Sequence, residues 1–175
     1  MVLTTSMSSP SKAKGSGWER DVAKHLSTMY NEQFIRAPGS GAYVGGTNKS
    51  RKEFLHEGQI RAFKGDIIPG ESFPKLNVEC KFYKDFPFHQ LLGSNEIKIL
   101  EKWIEQLLDA ADIGDFNILI MKFNHKGKYI ATNASLDLAA TRYVDYHSTK
   151  YGSWRIVDYD DFWLLNGSKV KELSQ

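Results

Sequence analysis

Asn77-Val78-Glu79-Cys80-Lys81-Phe82 is the stretch that decides the fold. Successive side chains of an extended strand point to opposite faces. Val78, Cys80 and Phe82 therefore form an apolar face bound for a core, while Glu79 and Lys81 share the other face. That second face sets a carboxylate beside an ammonium on the surface of a sheet. Thirteen residues before Glu79, Asp66 heads another apolar segment, Gly65-Asp66-Ile67-Ile68, which Pro69-Gly70 turns. With Leu76–Tyr83 as its partner, this segment reads as a β-hairpin or meander that brings Asp66 next to Glu79.

Working outward, Trp18, Val22, Leu26 and Met29 recur at helical spacing from Ser16 onward. Ser16 is a candidate cap, and Glu19 stands three residues after it. Glu19 lies beside the apolar stripe rather than opposite it, and a carboxylate there needs a partner. Phe34–Ala37 reads as a short strand closed by Pro38-Gly39-Ser40-Gly41. Beyond Tyr83, Ile97, Leu100, Ile104, Leu107, Leu108 and Ala111 predict an amphipathic helix between Ser94, a second candidate cap, and Ala111. Phe116–Phe123 is almost continuously apolar, as a strand buried on both faces would be. Strands at Lys128–Thr132 and near Trp154–Val157, with a short helix at Leu136–Thr141 between them, complete the map. This order of elements predicts an α/β sandwich built on a mixed β-sheet flanked by helices. Residues 1–14, rich in Ser and Thr, read as a disordered arm, and residues 15–175 as a single domain. Within that domain, residues 42–64 form a basic, glycine-rich loop or hairpin insert.

Composition narrows the function classes. The chain has 175 residues, 41% hydrophobic and 25% charged, as in ordinary globular domains. No apolar run reaches the ~18–20 residues of a membrane span, and no secretory signal heads the sequence. Cys80 is the single cysteine, which excludes an internal disulfide and disfavours a thiolate zinc site. The expected setting is intracellular and cytoplasmic (the host cytoplasm for a viral protein). The net charge is only +2, but it is unevenly spread. Residues 1–64 hold ten Lys/Arg against five Asp/Glu, and residues 65–175 hold thirteen against sixteen. The basic excess ahead of Asp66 suits phosphates, and Lys49, Arg51 and Lys52 are candidate contacts within the insert. No Gly-rich loop followed by Lys-Ser/Thr is present, so no nucleotide cofactor is expected.

The chemistry follows from the pair of carboxylates. Asp66 and Glu79 together suit Mg²⁺, a hard cation that keeps several of its waters, with Mn²⁺ as a substitute. The backbone carbonyl of Cys80 can join them as a ligand. Such an ion polarises a phosphate and acidifies a water nucleophile. Lys81 can orient that water or offset charge that builds up during reaction, and Glu19 can supply a third carboxylate.

In this order, Glu19-Arg20, Arg36, Gly39-Ser40-Gly41, Gly65-Asp66-Ile67-Ile68 and Glu79-Cys80-Lys81 resemble the archaeal-type Holliday junction resolvases, a family of the PD-(D/E)XK nuclease superfamily. The resemblance spans roughly Lys14–Phe123. It implies a restriction-endonuclease-like sandwich and a metal-dependent endodeoxyribonuclease with Glu19, Asp66, Glu79 and Lys81 as its catalytic set. It also implies that Arg20 and Arg36 engage the DNA backbone and that Ser40 lies on a loop at the site. The partner would be branched DNA, a four-way junction cut by a homodimer in DNA recombination and DNA repair. Gly65 stands where the superfamily name has proline, the 42–64 segment is longer than the resemblance predicts, and the chain after residue 124 has no counterpart in it.

Two further readings stay open. A restriction- or repair-type nuclease on linear duplex would use the same core. A non-catalytic DNA-binding module would gain nothing from carboxylates that face phosphates. Phe82, Tyr83, Phe86 and Phe88 suit core or dimer packing, or a wedge into an open junction. Asn124-His125 lacks the second ligand group that a histidine-metal nuclease needs, and Asp158, Asp160 and Asp161 read as a solvated acidic turn.

Overall fold

The computed structural model describes residues 10–38, 53, 56 and 64–175, without the side chain of Ser11. Among these residues the chain runs α1 (Pro10–Tyr30), β1 (Ile35–Arg36), β2 (Ile67–Ile68) and β3 (Leu76–Tyr83). A 3₁₀ turn (Phe88–Leu92), α2 (Lys98–Ala110), β4 (Phe116–Phe123) and β5 (Gly127–Asn133) follow, then β6 (Tyr143–Ser148), β7 (Gly152–Asp158) and α3 (Tyr159–Leu173). Strands β3 to β7 form one sheet in the order β3-β4-β5-β7-β6. Only β3 and β4 pair in parallel within it; the other neighbours are antiparallel. The sheet is therefore mixed, as the sequence implied, and α2 makes the crossover that a parallel pair requires.

Alternation along β3 and β4 builds two cores, one on each side of the sheet. Val78, Cys80, Ile118 and Ile120 face Trp18, Val22, Ala23 and Leu26 of α1 and Phe162, Trp163 and Val170 of α3. Leu119, Met121 and Phe123 face Leu100, Trp103, Ile104 and Leu107 of α2. Helices cover both faces, an α/β sandwich of restriction-endonuclease-like form. The continuous apolar run of β4 records this two-sided burial.

Several elements differ from expectation, each for a local reason. Helix α1 starts at Pro10, so residues 10–14 of the expected arm are helical. Proline suits a first turn, where its missing N–H costs nothing, and Ala13 and the flanking lysines are good helix formers. Ser16 thus lies inside the helix and donates to the Ala13 carbonyl rather than capping. Met29 falls at the edge of the stripe, 37% exposed. Ser94 does not cap α2, whose N-cap position is Ile97 with no side-chain cap.

The short helix expected at Leu136–Thr141 is an irregular segment after a turn. Side chains of α3 satisfy its backbone instead. The Asn166 amide pairs both N–H and C=O of Ala139, and the Asp161 carboxylate accepts the Thr141 N–H and hydroxyl. Two elements had no counterpart in the sequence reading, β6 and α3. Asp158 explains the acidic cluster, because its carboxylate accepts from the N–H groups of Asp160 and Asp161 and caps α3.

The ladder around Asp66 also differs. Strand β2 pairs antiparallel with β1, with Ile35 opposite Ile68 and Arg36 opposite Ile67. It does not form a hairpin ladder with β3; a backbone hydrogen bond from Asp66 N–H to the Val78 carbonyl, 2.8 Å, joins the two. Gly65 makes that approach possible. Its φ is +64°, and a Cβ there would lie 2.5 Å from the Val78 oxygen. Proline, fixed near −65°, could not occupy the position. Gly65→Ala is expected to lower stability by about 2 kcal/mol or more, from left-handed strain plus the clash. Urea unfolding followed by circular dichroism measures it.

Candidate active site

Asp66 and Glu79 meet at the open edge of β3. Asp66 is 2% exposed and Glu79 8%. The Asp66 carboxylate accepts the Cys80 N–H at 2.7 Å, while its own N–H is held by Val78. Val78 and Cys80 thus turn their backbone polar groups toward Asp66. Because N–H and C=O of one strand residue point to the same side, the Cys80 carbonyl faces that edge too. The Cys80 thiol is packed in the opposite direction, into the α1/α3 core, and burial pushes its pKa well above the ordinary value.

On the face shared with Glu79, Lys81 Nζ donates to Glu79 Oε1 at 2.5 Å and to Gln106 Oε1 at 2.7 Å. Gln106 was not anticipated. It lies on the polar side of α2, and only the packing of that helix on β3 brings it to Lys81. Glu19, on α1, is ion-paired with the Nε of Arg36 on β1. Its charge raises the pKa of both Asp66 and Glu79, so it lies within their electrostatic reach. Arg20 is exposed on α1. Ser40, Lys49, Arg51 and Lys52, together with nearly all of the 42–64 segment, lie outside the described residues. Lys64, counted with the basic stretch, is 6% exposed and paired with Asp115 and Asp112. It anchors the return of the chain to the α2–β4 connection.

Burial, reinforced by the charge of Glu79, pushes the Asp66 carboxyl up to about 7. Burial also raises Glu79, although Lys81 opposes it. Three carboxylates are thus served by one ammonium and one guanidinium, an excess of buried negative charge that calls for a cation. Among the described residues, no three carboxylate, histidine or cysteine side chains form a complete metal cage. The pair Asp66 and Glu79 is by itself a donor set of hard oxygens of the kind that suits a divalent cation which keeps its waters. Asp66, Glu79 and the Cys80 carbonyl would hold it.

The aromatic residues near the exit of β3 serve mainly as core. Phe86 is buried and packs on Trp103, Phe88 and Phe123, whereas Tyr83 is 44% exposed. No described helix is long and apolar enough to cross a membrane.

A mixed sheet between helices, with glutamate and lysine on its edge strand and aspartate fastened against that strand, defines the PD-(D/E)XK class of metal-dependent nucleases. The chain belongs to the family described as "Phage putative PDDEXK endonuclease", whose model matches residues 10–166. This match supports the superfamily and an endonuclease activity, and not the archaeal-type resolvase family specifically. No curated protein and no solved structure matches the chain.

The raised Asp66 pKa carries a stability consequence. The folded protein binds this proton more tightly than the unfolded chain does. The contribution is therefore complete below about pH 4 and is lost as pH rises through 7. In metal-free buffer, Asp66→Asn is expected to stabilise the protein relative to wild type at pH 8 but not at pH 4. The gap grows to at most about 4 kcal/mol. Chemical denaturation at the two pH values checks this, and equal differences at both would refute it.

Proposed function

We propose that the chain is a Mg²⁺-dependent endodeoxyribonuclease that hydrolyses phosphodiester bonds in DNA, with the four-way junction as its preferred substrate and a homodimer as its working form. The observation that carries the catalytic reading is the gathering of buried Asp66, which accepts the Cys80 N–H, and buried Glu79, which accepts from the Lys81 ammonium, at one edge of β3. When bound, the cation neutralises phosphate charge and makes a water more acidic. Lys81, steadied by Glu79 and Gln106, holds the attacking water and offsets charge on the phosphoryl oxygens. Asp66 is fixed through both its backbone and its carboxylate, so it enters the reaction with little reorganisation. Glu19, oriented by Arg36, adds a third carboxylate that can accept a proton from water. Arg20 and the basic 42–64 segment, with Ser40, Lys49, Arg51 and Lys52, are proposed to grip the DNA backbone.

The junction preference is supported by the order and identity of the motifs from Glu19 to Lys81. The second reading, cleavage of linear duplex, uses the same core and accords equally with the family match, whose description is of an endonuclease.

The test is incubation with a four-way junction and a matched linear duplex, in Mg²⁺ and in EDTA. Symmetric nicks confined to the junction are expected, and cleavage of both substrates would replace the first reading with the second. Asp66→Asn, Glu79→Gln and Lys81→Ala should each reduce cleavage by at least about a hundredfold while DNA binding survives. Full activity in any of them would overturn the site.

Because the metal must displace the proton from Asp66, affinity for Mg²⁺ is expected to fall by roughly tenfold per pH unit below 7. Calorimetric titration at pH 5.5, 6.5 and 8 measures this. An affinity independent of pH would separate Asp66 from the metal.

A further inference from the structure

A groove of about 570 Å³ opens between the first turns of α1 and the outgoing end of β3. Its lining includes Lys12 and Lys14 from α1, Lys81, Tyr83 and Lys84 from β3 and its exit, and Asn124 after β4. Among the described residues four lysines line this space and no carboxylate does, in a chain with 23 basic residues against 21 acidic ones. Lys12, Lys14 and Lys84 are exposed. Lys81 is paired with Glu79, and Asp85, next to Lys84, is taken up by Lys126 at 2.5 Å and by the Phe86 N–H at 2.7 Å. Ammonium groups gathered along a groove raise the local positive potential and so favour an anionic ligand there.

The shape and position of the groove point to a particular anion. Cys80 and Lys81 belong both to the groove and to the catalytic edge, so the two are continuous. A single phosphate would need fewer cations than these, spread over two elements and a turn. A repeating phosphodiester would meet them in succession, with the positive end of α1 adding to the field. The Tyr83 ring and the Asn124 amide suit sugar and base edges between phosphates.

We infer that this groove seats the backbone of the DNA strand that leads into the cleavage site, with Lys12, Lys14 and Lys84 as its phosphate contacts. The inference rests on the nuclease reading above and extends it to a binding surface outside the 42–64 segment.

The test uses the full chain and fluorescence anisotropy with labelled single-stranded and duplex oligonucleotides, in EDTA, over a salt series. The triple variant Lys12→Gln/Lys14→Gln/Lys84→Gln is expected to bind at least tenfold more weakly. Its salt slope should fall by about 2 to 3, close to 0.7–0.9 per lost phosphate contact. The probe whose slope falls identifies the strand form that occupies the groove. A control triple, Lys150→Gln/Lys169→Gln/Lys171→Gln, removes equal charge elsewhere and should keep the wild-type slope. Arginine at the three groove positions should restore binding; its failure to do so in a folded protein would refute a charge-based site. Wild-type affinity and slope in the glutamine triple would overturn the groove while leaving the nuclease reading intact. Wild-type protein that neither binds nor cuts DNA would overturn both.

Discussion

The site depends on how Asp66 is fastened to β3. One backbone hydrogen bond to Val78 and one carboxylate bond from Cys80 hold it against the strand that carries Glu79 and Lys81. A side chain on residue 65 at its present φ would put its Cβ 2.5 Å from the Val78 oxygen and force the first of these bonds to shift. The glycine is therefore a condition of this close approach. It lets the main chain come close enough for two acids to be buried side by side, where burial favours their protonated forms. The remainder of the fold keeps that arrangement rigid: apolar residues on β3 lock its back to α1 and α3, and α2 closes over its front.

Much of this was legible in the sequence because strand alternation is a strict rule. Val78, Cys80 and Phe82 had to share one face, and Glu79 and Lys81 the other. The buried β4 announced itself by its apolar run in the same way. What escaped had weaker local signals. Helix α3 buries Asn166 and Gly167 alongside Phe162 and Trp163 while it exposes Leu164 and Leu165, so its apolar stripe is blurred. Strand β6 buries just Tyr146 and Ser148 among its six residues. The segment at 136–141 has helical composition, but Asn166 and Asp161 satisfy its backbone from afar, and no local pattern records that.

Partner choice was the other blind spot. Two-residue strands have too little pattern to specify a neighbour, so β2 was expected on β3 and instead lies on β1. The proximity of Asp66 to Glu79 was read correctly from a mistaken ladder. Gln106 and Lys64 were invisible for a related reason: each acquires its role through contact across more than twenty residues of sequence.

The β1–β2 ladder bears on how such a protein can diversify. Ala37 N–H bonds to the Asp66 carbonyl at 2.8 Å, so the two strands that flank the 38–65 segment are joined at a closed neck. Lys64, clamped to Asp115, reinforces the exit. Closing a longer loop on a neck already formed costs little, since the entropy grows only with the logarithm of length. Sequence can therefore be gained, lost or exchanged beyond the neck with the carboxylates unmoved. The β1–β2 ladder thus lets the length between its two strands vary at small entropic cost while the contacts that hold Asp66 against β3 stay in place.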